Sequence, residues 1–311
     1  GKTRVLTYKV SYLVAEKNIT PDRILLVTFT NKAAFEMKER VEKLLRETGV
    51  SIDKKPFAST FHSFCAKLLR TEGRVLGLPI NYVIYDEHDQ LEAVKEAMLR
   101  LDISGKSYSP HGVLTTISQA KNELISSLEY PQYARGQFQE NVAKTYLVYQ
   151  KILQENQALD FDDLLQKTAE LFRKFPEVLA KYQEKFRYIL VDEYQDTNHA
   201  QYVLAKLLAG RYQNICVVGD ASQSVYSWRG ADLRNLLTFQ KDYPNLKTFY
   251  LEQNYRSTQK ILDAAYGVIS HNSSHPVLKL WTKNSQGDHL RVYQAGNEIE
   301  EERPTYTLNK V

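Results

Sequence analysis

Apolar positions along this chain follow two different periods. Residues 23–30, RILLVTFT, form a short β-branched run, and residues 31–46 follow with Ala33, Ala34, Met37, Val41, Leu44 and Leu45 at helical spacing. This predicts a strand running into a helix. The succession recurs where residues 57–60 lead into residues 61–70, and two more apolar runs, 188–191 and 215–218, deliver Asp192-Glu193 and Gly219-Asp220 at their ends. Repeated strands joined by helices predict an α/β fold, a parallel sheet flanked by helices with its chemistry at the carboxyl ends of the strands.

Residues 78–185 lack a comparable strand series and carry helical patterns at 87–101, 113–128 and 140–157. So long a connection needs a fold of its own, so it is expected to be a helical insertion subdomain between two halves of the sheet domain, residues 1–77 and 186–250. Residues 251–311 carry a helix at 259–270 and weaker signals after it, and are expected to begin a second domain that is cut short.

Composition changes this picture little. No apolar run approaches the ~20 residues of a membrane-spanning helix, and no signal-peptide plan opens the chain, so a cytoplasmic protein without membrane association is expected. Cys65 and Cys216 sit in apolar runs without partners at metal-ligand spacing, as small core residues do. The net charge of +4 and pI near 8.7 favour a polyanionic partner only mildly. The 21 tyrosines and two tryptophans carry more weight, because rings in a basic groove stack on unpaired bases, although any single tyrosine more often fills a core.

Candidate chemistry begins at Gly1-Lys2-Thr3-Arg4, the end of the phosphate-binding pattern G-x-x-x-x-G-K-[ST]. Alone, that tripeptide arises by chance. Its value comes from Asp192-Glu193, since a nucleotide-hydrolysing site needs one carboxylate on Mg²⁺ and a second as base for water. Two solvated acids at a loop start would explain this pair, but not the continuation Tyr194-Gln195-Asp196-Thr197. From the fourth strand, Gly219-Asp220 leads through Gln223, a side chain suited to sensing a γ-phosphate, to Tyr226, Trp228 and Arg229, a stacking and charge cluster. A lone Trp is more often core, but the neighbouring Ser227, Arg229 and Gly230 argue for a loop.

Taken in order, GKTRVL (1–6), TFTNKAA (28–34), STFHSFC (59–65), LDFDDLL (159–165), VDEYQDTN (191–198), VGDASQSVYSWRGAD (218–232) and LEQNYRST (251–258) resemble the N-terminal part of the UvrD/Rep/PcrA-type superfamily 1 DNA helicases. The resemblance implies a RecA-like P-loop NTPase domain, a helical insertion and the start of a second motor domain. It implies ATP-driven 3′-to-5′ movement on single-stranded DNA and duplex unwinding in repair or replication. ATP and Mg²⁺ would be the cofactors; the partners would be single strands, single-strand/duplex junctions and repair or replication proteins.

By the same resemblance, Lys2 beside Gly1 would hold the β- and γ-phosphates, and Thr3 and Asp192 would hold Mg²⁺. Glu193 would be the general base, Gln223 would couple the γ-phosphate to the DNA loop, and Arg256 would act as an arginine finger. Arg4 and Tyr255 would sandwich the adenine. Phe29, Thr30 and Asn31, then Phe61 and His62, then Tyr226, Trp228 and Arg229 would form three successive single-strand contacts. Phe161, Asp162 and Asp163 also suit a helix start, where acids are favoured anyway, and His62 equally suits a polar position near the core.

The chain departs from the family pattern in lacking the upstream adenine motif, the first half of the phosphate loop and the later motifs of the second motor domain. Ser222 stands where the family often has Asp, and residues 300–311 do not continue the pattern. The chain by itself is therefore expected not to unwind DNA, while its parent does. Two alternatives stay open: the helicase arm of a nuclease complex, and a single-strand-binding module without ATPase activity.

Overall fold

The computed structural model describes residues 1–49, 55–224, 234–273, 275, 277–290, 294 and 296. Lys2–Lys247 form one compact unit and the residues from Thr248 onward belong to another. The strands of the first unit are β1 (Ile24–Thr28), β2 (Phe57–Thr60), β3 (Val83–Tyr85), β4 (Ala158–Asp160), β5 (Tyr188–Val191) and β6 (Ile215–Val217). Its helices are α1 (Lys2–Ala15), α2 (Asn31–Glu47), α3 (Phe61–Glu72), α4 (Glu87–Arg100), α5 (Pro110–Asn122), α6 (Gln137–Glu155), α7 (Phe161–Lys174), α8 (Pro176–Lys185), α9 (His199–Ala209) and α10 (Arg234–Asp242).

The predicted α/β class is what the chain adopts. Four strands pair in parallel in the order β2-β1-β5-β6, with Leu25 opposite both Phe57 and Ile189 and Val191 opposite Val217. Strand β1 is buried along its whole length because alternate residues feed two cores. Ile24 and Leu26 join Leu6, Val10, Met37 and Val41 under α1 and α2, whereas Leu25 and Val27 join Phe64, Leu165, Phe172 and Leu204 under α3, α7 and α9. At ~1.5–3 kcal/mol for each fully buried aliphatic side chain, this double-sided burial fixes the register.

Residues 78–185 divide between cores. Helices α4, α5 and α6 build their own around Val94, Met98, Ile117, Tyr146 and Ile152. By contrast, α7 and α8 contribute Leu165, Phe172, Val178 and Tyr182 to the core beneath the sheet. Between the two cores lies a parallel pair that the sequence pattern did not reveal, β3 with β4, in which Ala158 faces the helical core and Leu159 the other. The helix expected to reach residue 128 stops at Asn122. Leu124 there adopts a left-handed φ of 59°, and the Ile125 N–H donates to the Ala120 carbonyl, a turn that closes the helix end.

In the second unit, β7 (Gln253–Asn254) pairs in parallel with β8 (Trp281–Thr282), and α11 (Gln259–Ile269) lies between them in sequence. No described helix is long and apolar enough to cross a membrane. Cys65 and Cys216 are both free thiols, the first fully buried.

Candidate phosphate and nucleic-acid site

The strands of the four-stranded sheet run in one direction, so their carboxyl ends open on one edge and bring distant residues together. The ladder continues past the strands: the Asp192 N–H donates to the Val27 carbonyl at 2.8 Å and the Tyr194 N–H to the Val218 carbonyl at 2.9 Å. These bonds hold the turn after β5 between the ends of β1 and β6. Helix α1 starts on the same edge. Its first-turn N–H groups lack helical partners, and the described N-terminus carries no acidic residue.

Five predicted residues meet there. Lys2 Nζ lies 2.9 Å from Glu193 Oε2 and donates to Gln223 Oε1 at 3.0 Å. Thr3 Oγ1 donates to Asp192 Oδ2 at 2.8 Å, and Asp192 Oδ1 accepts from the Glu193 backbone N–H at 3.1 Å. Asp192 is 3% exposed, and burial raises its pKa above the usual carboxylate range despite the Thr3 hydroxyl. A buried carboxylate of this kind, beside a hydroxyl, is a hard oxygen pair that suits a small divalent cation able to keep water and phosphate as its other ligands. Gly1 is exposed, with nothing near the place a Cβ would take.

Glu193 adopts φ 48° and ψ 46°. A non-glycine residue held left-handed stores ~1–3 kcal/mol of strain, and such strain gathers at sites where a side chain must be aimed. Here the turn keeps the Glu193 carboxylate on the Lys2 side while the chain re-enters the fold at buried Tyr194.

The sequence pattern gave no role to Gln195, which is 2% exposed. Its Nε2 donates to Glu193 Oε2 at 3.1 Å and to Asp196 Oδ2 at 2.9 Å, and its Oε1 accepts from the Asp220 N–H at 2.9 Å. Asp220 in turn accepts from Gln223 Nε2 at 2.6 Å and from the Ser222 N–H at 3.0 Å. The turns after β5 and β6 are thereby locked together.

The predicted single-strand contacts divide. Thr30 caps α2 by accepting from the Ala33 N–H at 3.1 Å, and Thr60 caps α3 by accepting from the Ser63 N–H at 3.1 Å. Ser63 Oγ also reaches Asn31 Oδ1 at 3.3 Å, so the tips of β1 and β2 form one surface beside half-buried Phe29. Phe61 is corrected: at 4% exposure it belongs to the core under the sheet, in the cluster that also holds Leu164 and Leu165 of α7. His62 is half-buried, edge-on to the exposed Phe161 ring at 5.9 Å, and burial lowers its pKa to about 4. It is a neutral ring at physiological pH, not a cation for phosphate. Asp163 forms the capping box of α7 with Asp160, while Asp162 accepts from Ser118 Oγ at 2.6 Å. Tyr226, Trp228 and Arg229 lie outside the described residues.

The shift at His62 has a sign that can be checked. Between pH 6.5 and about 4 the folded protein binds fewer protons than the unfolded chain, so this residue makes stability fall as pH drops through that window and leaves it flat above. Burial raises Asp162 to about 7, which acts in the opposite direction, so the readout is a difference. Urea midpoints of wild type and His62→Gln, compared from pH 7 to 4, are expected to converge as pH falls, the variant losing less. Parallel curves would mean that His62 is solvated.

Arg4 Nη2 donates to Tyr8 Oη at 3.0 Å, with its guanidinium 5.0 Å from that ring. In the second unit, Asn254 Oδ1 accepts from the backbone N–H groups of Arg256 and Ser257, each at 2.8 Å, in a turn that carries Tyr255 at 71% exposure.

A sequence model of the UvrD/REP helicase N-terminal domain matches residues 1–244, and one of the UvrD-like helicase C-terminal domain matches residues 249–310. The chain belongs to the UvrD/REP helicase family. It is 50% identical over 301 residues to the ATP-dependent DNA helicase PcrA of Bacillus subtilis, which covers 97% of this chain and 40% of that protein. Likenesses of 48% to PcrA of Leuconostoc citreum and 49% to PcrA of Staphylococcus epidermidis extend over the same 301 residues, 40% and 41% of those proteins. The chain thus spans about 40% of the length of the curated relatives it matches.

Proposed function

We propose that this chain is the ATP-binding and strand-gripping part of a DNA helicase that hydrolyses ATP to move 3′ to 5′ along single-stranded DNA and unwind duplex. The observation that carries the proposal is the cluster in which Lys2 meets Glu193 and Gln223 while Thr3 meets Asp192. In this reading residues 1–77 and 186–250, together with α7 and α8, which share their core, are the motor domain, the rest of 78–185 is its insertion and 251–311 are the start of a second motor domain.

Lys2 exchanges its present partners for the β- and γ-phosphates, which the backbone N–H groups at the start of α1 also receive. That exchange releases the Glu193 carboxylate to take a proton from the attacking water. Thr3 and Asp192 hold Mg²⁺, which neutralises phosphate charge when bound. Gln223, next to the γ-phosphate, relays its presence to Tyr226, Trp228 and Arg229. Arg256 acts as the arginine finger, and Arg4 and Tyr255 enclose the adenine. At the tips of β1 and β2, Phe29, Thr30, Asn31 and His62 contact the strand, and stacking contributes ~1–3 kcal/mol per base. The substrates are single strands and single-strand/duplex junctions; repair or replication proteins recruit the enzyme, and the cytoplasm is its compartment.

The test is a duplex with a 3′ single-stranded tail, incubated with Mg-ATP and the full-length protein, with hydrolysis followed in parallel. Strand separation that requires ATP and hydrolysis that rises with added single-stranded DNA are expected. DNA binding with no hydrolysis at any DNA concentration would favour the binding-module alternative.

A further inference from the structure

We infer that Gln195 is a positioning residue through which the DNA-contacting turn after β6 aims the general base, an assignment that rests on the reading of the site as an ATPase. Three observations converge on it. Its side chain is buried, and each end is committed to a different turn: Nε2 to Glu193 at 3.1 Å and Asp196 at 2.9 Å, and Oε1 to the Asp220 N–H at 2.9 Å. The backbone of the same residue accepts from Ser224 Oγ at 3.3 Å, so the segment leading toward Tyr226 is tied to it twice. Finally, Gly219 leaves room for it: a Cβ there would stand 2.9 Å from Gln195 Oε1 and 3.2 Å from its backbone N.

An amide is suited to this place. It donates to an acid on one side and accepts from a backbone N–H on the other, and it keeps one protonation state throughout the cycle. Two routes therefore join the β6 turn to the catalytic edge. The first runs from Asp220 through Gln223 to Lys2, toward the phosphates. The second runs from Asp220 through Gln195 to Glu193, toward the attacking water. A strand that shifts the turn after β6 displaces both together, which gives DNA a direct hold on the orientation of the base. In a buried network the two ends of Gln195 are not independent, since moving one leaves the other unsatisfied.

The experiment measures ATP hydrolysis by the full-length protein with and without saturating single-stranded DNA, for wild type, Gln195→Met and Gly219→Ala. Gln195→Met keeps the volume and removes both ends of the link. Gly219→Ala leaves Gln195 in place and forces its carbonyl aside. In both variants kcat with DNA is expected to fall about 10–100-fold, the range a misplacement near 1 Å produces, with KM for ATP within about threefold of wild type. The ratio of stimulated to unstimulated rate is expected to fall about tenfold, a change that a partly unfolded population would not produce. An unchanged ratio in Gly219→Ala overturns the assignment even if Gln195→Met is unstable. So does an equal loss in both rates. A wild-type protein that hydrolyses no ATP overturns the functional reading instead, and this assignment with it.

Discussion

Glu193→Gln is expected to lower kcat for DNA-stimulated ATP hydrolysis by ~10²–10⁴-fold, the usual contribution of a positioned general base, while nucleotide binding holds or tightens. The geometry separates these two effects. Glutamine matches glutamate in shape, so it fits the left-handed turn at φ 48° and can still accept from Lys2 Nζ, which lies 2.9 Å from the present carboxylate. Its neutral amide takes no proton from water at any physiological pH. It also removes a negative charge from the surroundings of a triphosphate, which favours binding. Fluorescence titration with a nucleotide analogue and steady-state hydrolysis are measured on the same preparation. A kcat within about threefold of wild type would reduce Glu193 to a structural partner of Lys2.

The second large effect lies away from the site. Lys121 is 0% exposed, with its Nζ 2.5 Å from Asp160 Oδ2 and 2.8 Å from Asp163 Oδ1, and with the Tyr149 ring 5.0 Å away. Burial alone would favour the neutral amine, but the two carboxylates override it and hold the lysine charged. Lys121→Met removes the cation that faces two buried acids and is expected to destabilise the protein by ~3–5 kcal/mol. Adding Asp160→Asn and Asp163→Asn to Lys121→Met is expected to recover much of that loss, because the penalty comes from the stranded charges and not from the missing amine. Chemical denaturation of the three proteins decides the matter. A single-variant loss below about 1 kcal/mol would show that water or rearrangement satisfies the acids.

These two sites show what the sequence makes legible. Runs such as ILLVT, buried on both faces, announce a parallel strand, and a strand end fixes where Asp192 must be whatever the length of chain before it. β3 and β4 were hidden because each is three residues long, too short for a period to register. Phe61 misled because a strand-end aromatic looks the same in sequence whether it points outward or opens a helix toward the core. Lys121 did leave a sign: it continues the buried stripe Val113, Ile117 at intervals of four, a place where an unpaired lysine could not remain. Its partners Asp160 and Asp163 were legible only as a helix start. Gln195 left no sign, because its function depends on Asp220, which is near it only after β5 and β6 pair.

The pairing of β1 with β5 matters during synthesis. Strand β1 needs β5 beside it, and Ile24 pairs with Tyr188, 164 residues later (188 − 24). At about 5–20 residues per second, roughly 10–30 s pass on the ribosome during which a strand with two apolar faces has no central neighbour. Helices α4 to α6, whose core is local in sequence, have all emerged before β5 does. The nascent chain thus carries all the helices of one core beside a half-built sheet, and the interval before β5 emerges is when holding by a chaperone has most to protect.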